Sequence, residues 1–313
     1  MLGKTAGGLY WMFRSLERAE NTARLIEAGF RIALTRSTEA EGEWKSVIVT
    51  SAAQAAYEAK HDGYNSAQVT NFLLRDPDNP GSVLSSVKIA RDNARLVRTA
   101  LTTEVWSAVN ETWMLLVDLL AKPVKETELP EVLAAIRHQC ALVRGALTGT
   151  MLRKDSYHFC QLGIHIERTD STARIIDVKY HALLPASSLV GGRLDNVQWE
   201  TLLRSVSAHR AFRWAVEGDY TAPAIAEFLI LDRRMPRSLS FCVAQIVASL
   251  GYLADDYGER VRTHELADAL NARLEKRDIA AIFDEGLHEF LGSVIRDVAA
   301  LGQQLEQDYR FNR

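Results

Sequence analysis

The sequence predicts an all-α protein, a pseudo-symmetric helical bundle made of two tandem helical repeats. Three observations carry that expectation. Glycine and proline are scarce, 18 and 7 in a chain of 313 residues, which leaves few tight turns. Long runs of Ala, Leu, Glu and Arg show no sustained alternation of apolar and polar residues, so helix is favoured over strand almost throughout. The chain also matches itself at a shifted register. Residues 17–27 read ERAENTARLIE and residues 167–177 read ERTDSTARIID; Glu, Arg, Thr, Ala, Arg and Ile coincide, and every charged position keeps its sign.

The elements follow in the same order in both copies. A long helix carries the first block. A second helix follows Trp44 in the run EWKSVI, as one follows Trp199 in QWETLL. A short helix then begins near Phe72-Leu-Leu-Arg-Asp76 and closes in a turn to Pro80-Gly-Ser82; its counterpart is Phe228-Leu-Ile-Leu-Asp232 with Pro236-Arg-Ser238. Ser82 and Ser238 stand where an N-cap is wanted, directly ahead of apolar-periodic runs. From Val83 to Leu120 one or two helices are expected, ending near Lys122-Pro123, and another spans about Glu131 to Leu152. The register shift grows only from 150 at Glu17/Glu167 to 156 at Phe72/Phe228. Two units result, 1–156 and 157–313, with a small insertion in the second around 184–192. Short connections favour antiparallel neighbours, so the two should pack as one domain.

Composition excludes several classes of function. A net charge of −3 leaves no overall basic excess for a phosphate backbone, so no nucleic-acid partner is expected. Cys140, Cys160 and Cys242 are far apart and form neither a disulfide framework nor a zinc knuckle, which fits a reducing compartment. The start of the chain has no uninterrupted apolar segment and no later stretch reaches membrane-spanning length, so a cytoplasmic protein without membrane attachment is expected. No phosphate-binding glycine loop, dinucleotide fingerprint or nucleophile elbow occurs. No intrinsic cofactor is expected, and ATP would enter only through a partner.

The candidate site comes from the repeated block. On a helical wheel Tyr10, Arg14, Glu17, Glu20, Asn21 and Arg24 share one face, while Met12, Leu16, Ala19, Ala23 and Ile26 form an apolar stripe opposite. Glu167, Asp170, Ser171 and Arg174 repeat the polar arc. A solvated face laced by Glu20–Arg24 and Asp170–Arg174 pairs would look the same from one copy alone. Retention of acid for acid and base for base favours a buried or cleft-lining network, either an ion-pair lattice that sets helix register or a binding site. Clustered carboxylates bind a metal or share protons at raised pKa, whereas arginines among them favour phosphate or carboxylate ligands. A di-metal centre would want paired Glu-x-x-His, and only Glu58-Ala-Lys-His61 offers one, so no metal ligands are assigned.

Other residues enter with their plainer readings beside them. Arg91, Arg95 and Arg98 share a helical face, solvated by default yet able to grip an anion. His209, in Ser207-Ala-His209-Arg210, is either a structural hydrogen-bonding residue or the best-placed general base in the chain.

The run Tyr10-Trp-Met-Phe-Arg14-Ser-Leu-Glu17-Arg-Ala-Glu20-Asn-Thr-Ala-Arg24 resembles the N-terminal signature of the alpha-E family. The likeness extends through Asn93-Ala-Arg95, Gly163-x-x-Ile-Glu167-Arg-x-Asp170, Asp177-Val-Lys-Tyr180, Ser207-Ala-His209-Arg210 and Met235-Pro-Arg237-Ser238. Phe13 and Ser15 depart from the small and aromatic residues usual at those positions. Members of that family look like bacterial proteins encoded beside ATP-grasp amide ligases and transglutaminase-like peptidases. The resemblance implies a component of an ATP-dependent peptide or amide ligation, or peptide-modification, system with those two kinds of partner; a homo-oligomer stays open. Its expected substrate is anionic, a peptide or an amino-acid-like molecule. Glu17, Glu20, Glu167, Asp170 and His209 are the candidate catalytic residues. Arg14, Arg18, Arg24, Arg91, Asn93, Arg95, Arg168, Arg174, Arg210 and Arg237 are the candidate substrate-binding residues. Replacing Glu17 and Glu167 by Gln is expected to spare the fold and abolish activity. Two alternatives remain. One is a non-catalytic helical scaffold that docks a partner through an exposed face near Tyr10 to Phe13; the other is a carboxylate metal site.

Overall fold

The first long helix, α1 (Gly3–Thr35), is the axis of the molecule, and it is buried on both sides. The computed structural model describes residues 1–35, 40–182 and 193–311, with side chains described for 1–34, 41–177 and 199–311; the insertion expected around 184–192 lies outside them. Among the described residues every regular element is a helix. After α1 come α2 (Ala40–Thr50), α3 (Gln54–Glu58), α4 (Ser66–Arg75), α5 (Val83–Leu96), α6 (Thr103–Leu119) and α7 (Leu129–Thr150). A second long helix, α8 (Asp155–Ala182), is followed by α9 (Arg193–Ser205), α10 (His209–Ala215), α11 (Ala222–Ile230), α12 (Leu239–Tyr257), α13 (Arg262–Glu275), α14 (Ile279–Glu285) and α15 (Leu287–Asp308). None of these helices is long and apolar enough to cross a membrane.

Local chemistry sets the boundaries. Ser82 accepts a hydrogen bond from the Ser85 N–H at 3.2 Å and Ser238 one from the Phe241 N–H at 3.0 Å, so both serines cap the helices their positions announced. The run from Val83 to Leu120 divides in two because Thr102 caps α6 after a 3-10 turn at Arg98–Ala100. At the end of α12, Gly258 takes a left-handed φ of 72°, a conformation that a Cβ would penalise.

α1 and α8 cross in contact and run parallel there: Gly163 lies on Tyr10, Glu167 reaches Arg14 and Arg18, and Arg168 reaches Glu17, so both sequences advance together. α5 and α7 pack on α1, while α12 and α15 pack on α8. Two buried apolar clusters meet along α1. Leu16 belongs to one and Ala19 to the other, which leaves Glu17, Arg18 and Glu20 at their seam. The aromatic face expected to dock a partner is not available, because Tyr10, Met12 and Phe13 are fully buried. Phe311 and Tyr309 explain why: they close over Tyr10 and Phe159 with ring centroids 5.1–6.0 Å apart.

Candidate functional site

Glu17 and Glu167 each precede an arginine, and the two Glu-Arg pairs interlock. Arg18 donates from Nε to Glu167 Oε1 at 2.6 Å and from Nη2 to Oε2 at 2.8 Å. Arg168 donates from Nε to Glu17 Oε1 at 3.0 Å and from Nη2 to Oε2 at 2.9 Å. Both are two-pronged guanidinium–carboxylate pairs, the geometry in which Arg binds a carboxylate most strongly. Gly163 lets the helices approach closely enough: a Cβ there would lie 2.3 Å from the Tyr10 carbonyl oxygen.

A second tier surrounds them. Glu20 accepts from Arg24 Nε and Nη2 at 3.0 and 2.6 Å, from Arg237 Nη2 at 2.7 Å, and from Arg144 Nη1. Arg237 also lies 3.0 Å from Glu17 Oε1 and donates to Asn21 Oδ1. Arg24 extends to the Ser205 carbonyl and the Ser207 hydroxyl, and Arg14 joins Glu167 to the Tyr10 hydroxyl. Arg174 grips Asp170 at 2.8 and 3.1 Å. Seven arginines thus face four carboxylates, and Glu17 and Glu20 expose 1% and 0% of their surface. That burial rejects the solvated-face reading and favours the lattice.

The arginines decide the charge state. Burial would raise the Glu17 carboxyl, but Arg168, Arg237 and Arg144 outweigh it and hold the group well below the usual carboxylate range. Glu20 is raised by burial and by Glu17, yet Arg237, Arg144 and Arg24 pull it down on balance. For Glu167 burial is likewise overcome by Arg18 and Arg14. The raised pKa that proton transfer at neutral pH would need is therefore absent from all three. Burial, with Arg168 and Arg24 nearby, pulls Arg237 down to about 10, still charged at pH 7. Because Glu17 is shared by three cations, removing its charge leaves Arg168 without its carboxylate and Arg144 and Arg237 with Glu20 alone, which argues against the expectation that Gln at Glu17 spares the fold.

One side of the lattice is open. A cleft of about 400 Å3 lies between the α1–α8 crossing and two turns, with Arg14, Arg18, Glu167, Asp170 and Arg174 on one wall. Thr50–Ala53 and Asn79–Gly81 form the other. Asn21 Nδ2 and Thr50 Oγ1, both buried at this cleft, have no hydrogen-bond partner among the described residues, which is costly for a buried polar group.

The remaining candidates fall elsewhere. His209 sits in a separate cleft with Glu200 Oε1 at 2.9 Å and Tyr220 stacked on its ring, so it is not a base for the carboxylate site. Arg210 is exposed. Arg91 holds Asn110 at 3.1 Å over the Trp113 ring, Asn93 bonds the Ile89 carbonyl, and Arg95 is exposed. Arg91 is thus directed to α6, away from Glu17 and Glu167. No group of three or more His, Cys, Asp or Glu among the described residues could hold a metal ion, since arginines occupy the space between the carboxylates. Arg144 was not foreseen. Its signal is a cation at the buried edge of α7, four residues after Cys140 and three before Leu147. Nor were the Thr50–Ala53 and Asn79–Gly81 walls, which carry no charge to mark them.

Comparison with known proteins bears on this arrangement. Residues 1–309 match a family model described as a predicted alpha-helical domain with a conserved ER motif. An uncharacterized protein of Mycobacterium bovis and uncharacterized proteins from two strains of Mycobacterium tuberculosis are each 26% identical over 326 aligned residues. The match covers 93% of this chain and 35% of each relative, so the chain spans about a third of their length. No solved structure matches the chain.

Proposed function

The chain belongs to the Alpha-E family, and from that premise we propose that it serves an ATP-dependent peptide or amide ligation, or peptide-modification, system by binding an anionic peptide or amino-acid-like substrate between α1 and α8. The open cleft is the observation that carries this reading. Arg18 and Arg174, with side chains 33% and 32% exposed, are the most accessible cations of the lattice and border that space. Their guanidinium groups suit a ligand carboxylate. The ligation context rests on the resemblance given above, and in it an ATP-grasp-type ligase supplies ATP while a transglutaminase-like protein is the second partner. Glu17, Glu20 and Glu167, fixed in the ionised state, position the arginines and do not move protons.

The same reading takes residues 1–156 and 157–313 as two tandem repeats forming one domain. It is supported by the equivalent caps at Ser82 and Ser238 and by the reciprocal Glu17–Arg168 and Glu167–Arg18 pairs.

Calorimetric titration tests the site. L-glutamyl dipeptides should bind the wild-type chain and bind Arg18→Ala and Arg174→Ala at least about ten-fold more weakly, since each charge-assisted bond is worth roughly 1.5–3 kcal/mol. An affinity unchanged in both variants removes the cleft from this proposal.

A scaffold that docks the ligase or the transglutaminase-like partner is the second reading. It draws on Leu96, Met114, Leu115 and Val117, exposed apolar residues on α5 and α6. Under it, Met114→Glu disrupts the partner complex while ligand binding stays intact.

A further inference from the structure

The two sides of the α1–α8 crossing have nearly the same parts. Arg168 forks Glu17 as Arg18 forks Glu167, and Arg24 pairs with Glu20 four residues before it as Arg174 pairs with Asp170. The turn after α2 places Ala52 at φ 56° and the turn after α9 places Ser207 at φ 57°. α7 buries Val132, Leu133, Ile136, Cys140, Val143 and Leu147; α15 buries Phe290, Leu291, Val294, Val298, Leu301 and Leu305, each 158 positions further on. That register sets Gly302 opposite Arg144. The Arg14 guanidinium lies 3.4 Å from where a Gly302 Cβ would stand and reaches Glu167 as Arg144 reaches Glu17.

One cation has no equivalent. In the loop Met235-Pro236-Arg237-Ser238, Arg237 crosses to α1 and bonds Glu20 and Asn21 beside Glu17, filling its side of the crossing. In the matching loop, Asn79-Pro80-Gly81-Ser82, that position is Gly81. Across from Gly81 lie Glu167, Asp170 and Ser171, the counterparts of Glu17, Glu20 and Asn21, and between them is the open cleft of about 400 Å3.

We infer that this cleft takes a ligand guanidinium or ammonium in the place that Arg237 occupies on the opposite side. The inference rests on the ligand-site reading above and specifies the ligand's second pole. A carboxylate faces Arg18 and Arg174, and a cation faces Asp170 and Glu167, so the ligand carries both poles, a carboxylate for the anion site and a basic side chain beside it, free or at a peptide end. Arg237 shows that a carboxylate already forked by one arginine accepts another cation, because Glu17, held at both oxygens by Arg168, also has Arg237 3.0 Å from Oε1. Gly81 is not in a left-handed conformation, and a Cβ there would meet only Asn79 Oδ1 at 3.3 Å, so the position accepts a side chain.

The test is calorimetric titration of the full chain with L-arginine, with L-citrulline, which is uncharged at the same end, and with L-glutamate. L-Arginine should bind, and L-citrulline at least about ten-fold more weakly for the lost charge-assisted bonds. Gly81→Arg should lose L-arginine binding with no fall in melting temperature, the new side chain sealing the cleft as Arg237 does. Equal binding of L-citrulline and L-arginine overturns the inference, and so does L-arginine binding that persists in a folded Gly81→Arg protein. The citrulline comparison needs only the wild type, so it decides even where the variant does not fold. Binding of L-glutamate, sensitive to Arg18→Ala, without binding of L-arginine overturns the inference and leaves the anion site standing. Binding of neither ligand overturns both.

Discussion

Arg168 on α8 holds the Glu17 carboxylate of α1 by both oxygens, and the reverse pair, Arg18 on Glu167, repeats it across the crossing. The two pairs differ in burial. Arg168 and Glu17 are 10% and 1% exposed at their side chains, whereas Arg18 is 33% exposed.

That difference orders the cost of breaking them. Glu17→Ala leaves Arg168, Arg237 and Arg144 short of a buried counter-charge and should lower stability by about 3–5 kcal/mol. Arg18→Ala leaves Glu167, whose side chain is 7% exposed, with Arg14 as its remaining partner beside the open cleft, and should cost less, about 1–3 kcal/mol. Urea unfolding of the two variants checks the ranking, and equal losses would contradict it.

Acid should unfold the protein through this lattice. Glu17, Glu20 and Glu167 have folded-state values below their ordinary 4.5. A depressed carboxylate stabilises the fold fully above its unfolded value and loses that contribution as pH falls towards its folded value. Melting temperature should therefore fall steeply once pH drops below about 4.5. Glu17→Ala should show a shallower fall over the same interval, and parallel pH profiles would count against the assignment.

Gly163 should reverse the usual helical preference. Ala for Gly inside a helix ordinarily gains roughly 1 kcal/mol. Here the added Cβ would lie 2.3 Å from the Tyr10 carbonyl oxygen and 3.0 Å from the Arg14 nitrogen, backbone atoms that cannot rotate away. Gly163→Ala should lose about 1–3 kcal/mol by forcing the helices apart. Thermal melting decides the sign.

The three thiols should be silent in the native protein. Cys140, Cys160 and Cys242 are buried, and burial raises all three, Cys242 to about 12. A disulfide-exchange reagent should label none within minutes in buffer and all three in denaturant. Rapid native labelling of any one would place it at a surface.

The helical class, the position of most helices, the capping serines and the paired Glu-Arg blocks can be read from sequence, because each depends on local chemistry or on periodicity along one segment. Burial of α1 on both faces is legible only through the repeat, since the polar arc of one copy looks the same facing water as facing α8. The spacing of Arg144 and Arg237 from Glu17 cannot be read, since they lie 127 and 220 positions from it along the chain and meet it only when α7 and the loop before α12 pack against α1. His209 and Arg91 lie apart from the lattice for the same reason: correct chemistry on a helix says nothing about which neighbour it faces. The sequence alone determined which charges are available, and tertiary packing decided which are desolvated together. Coulomb energy and desolvation depend on distance in space and on exclusion of water, neither of which is a property of a single segment.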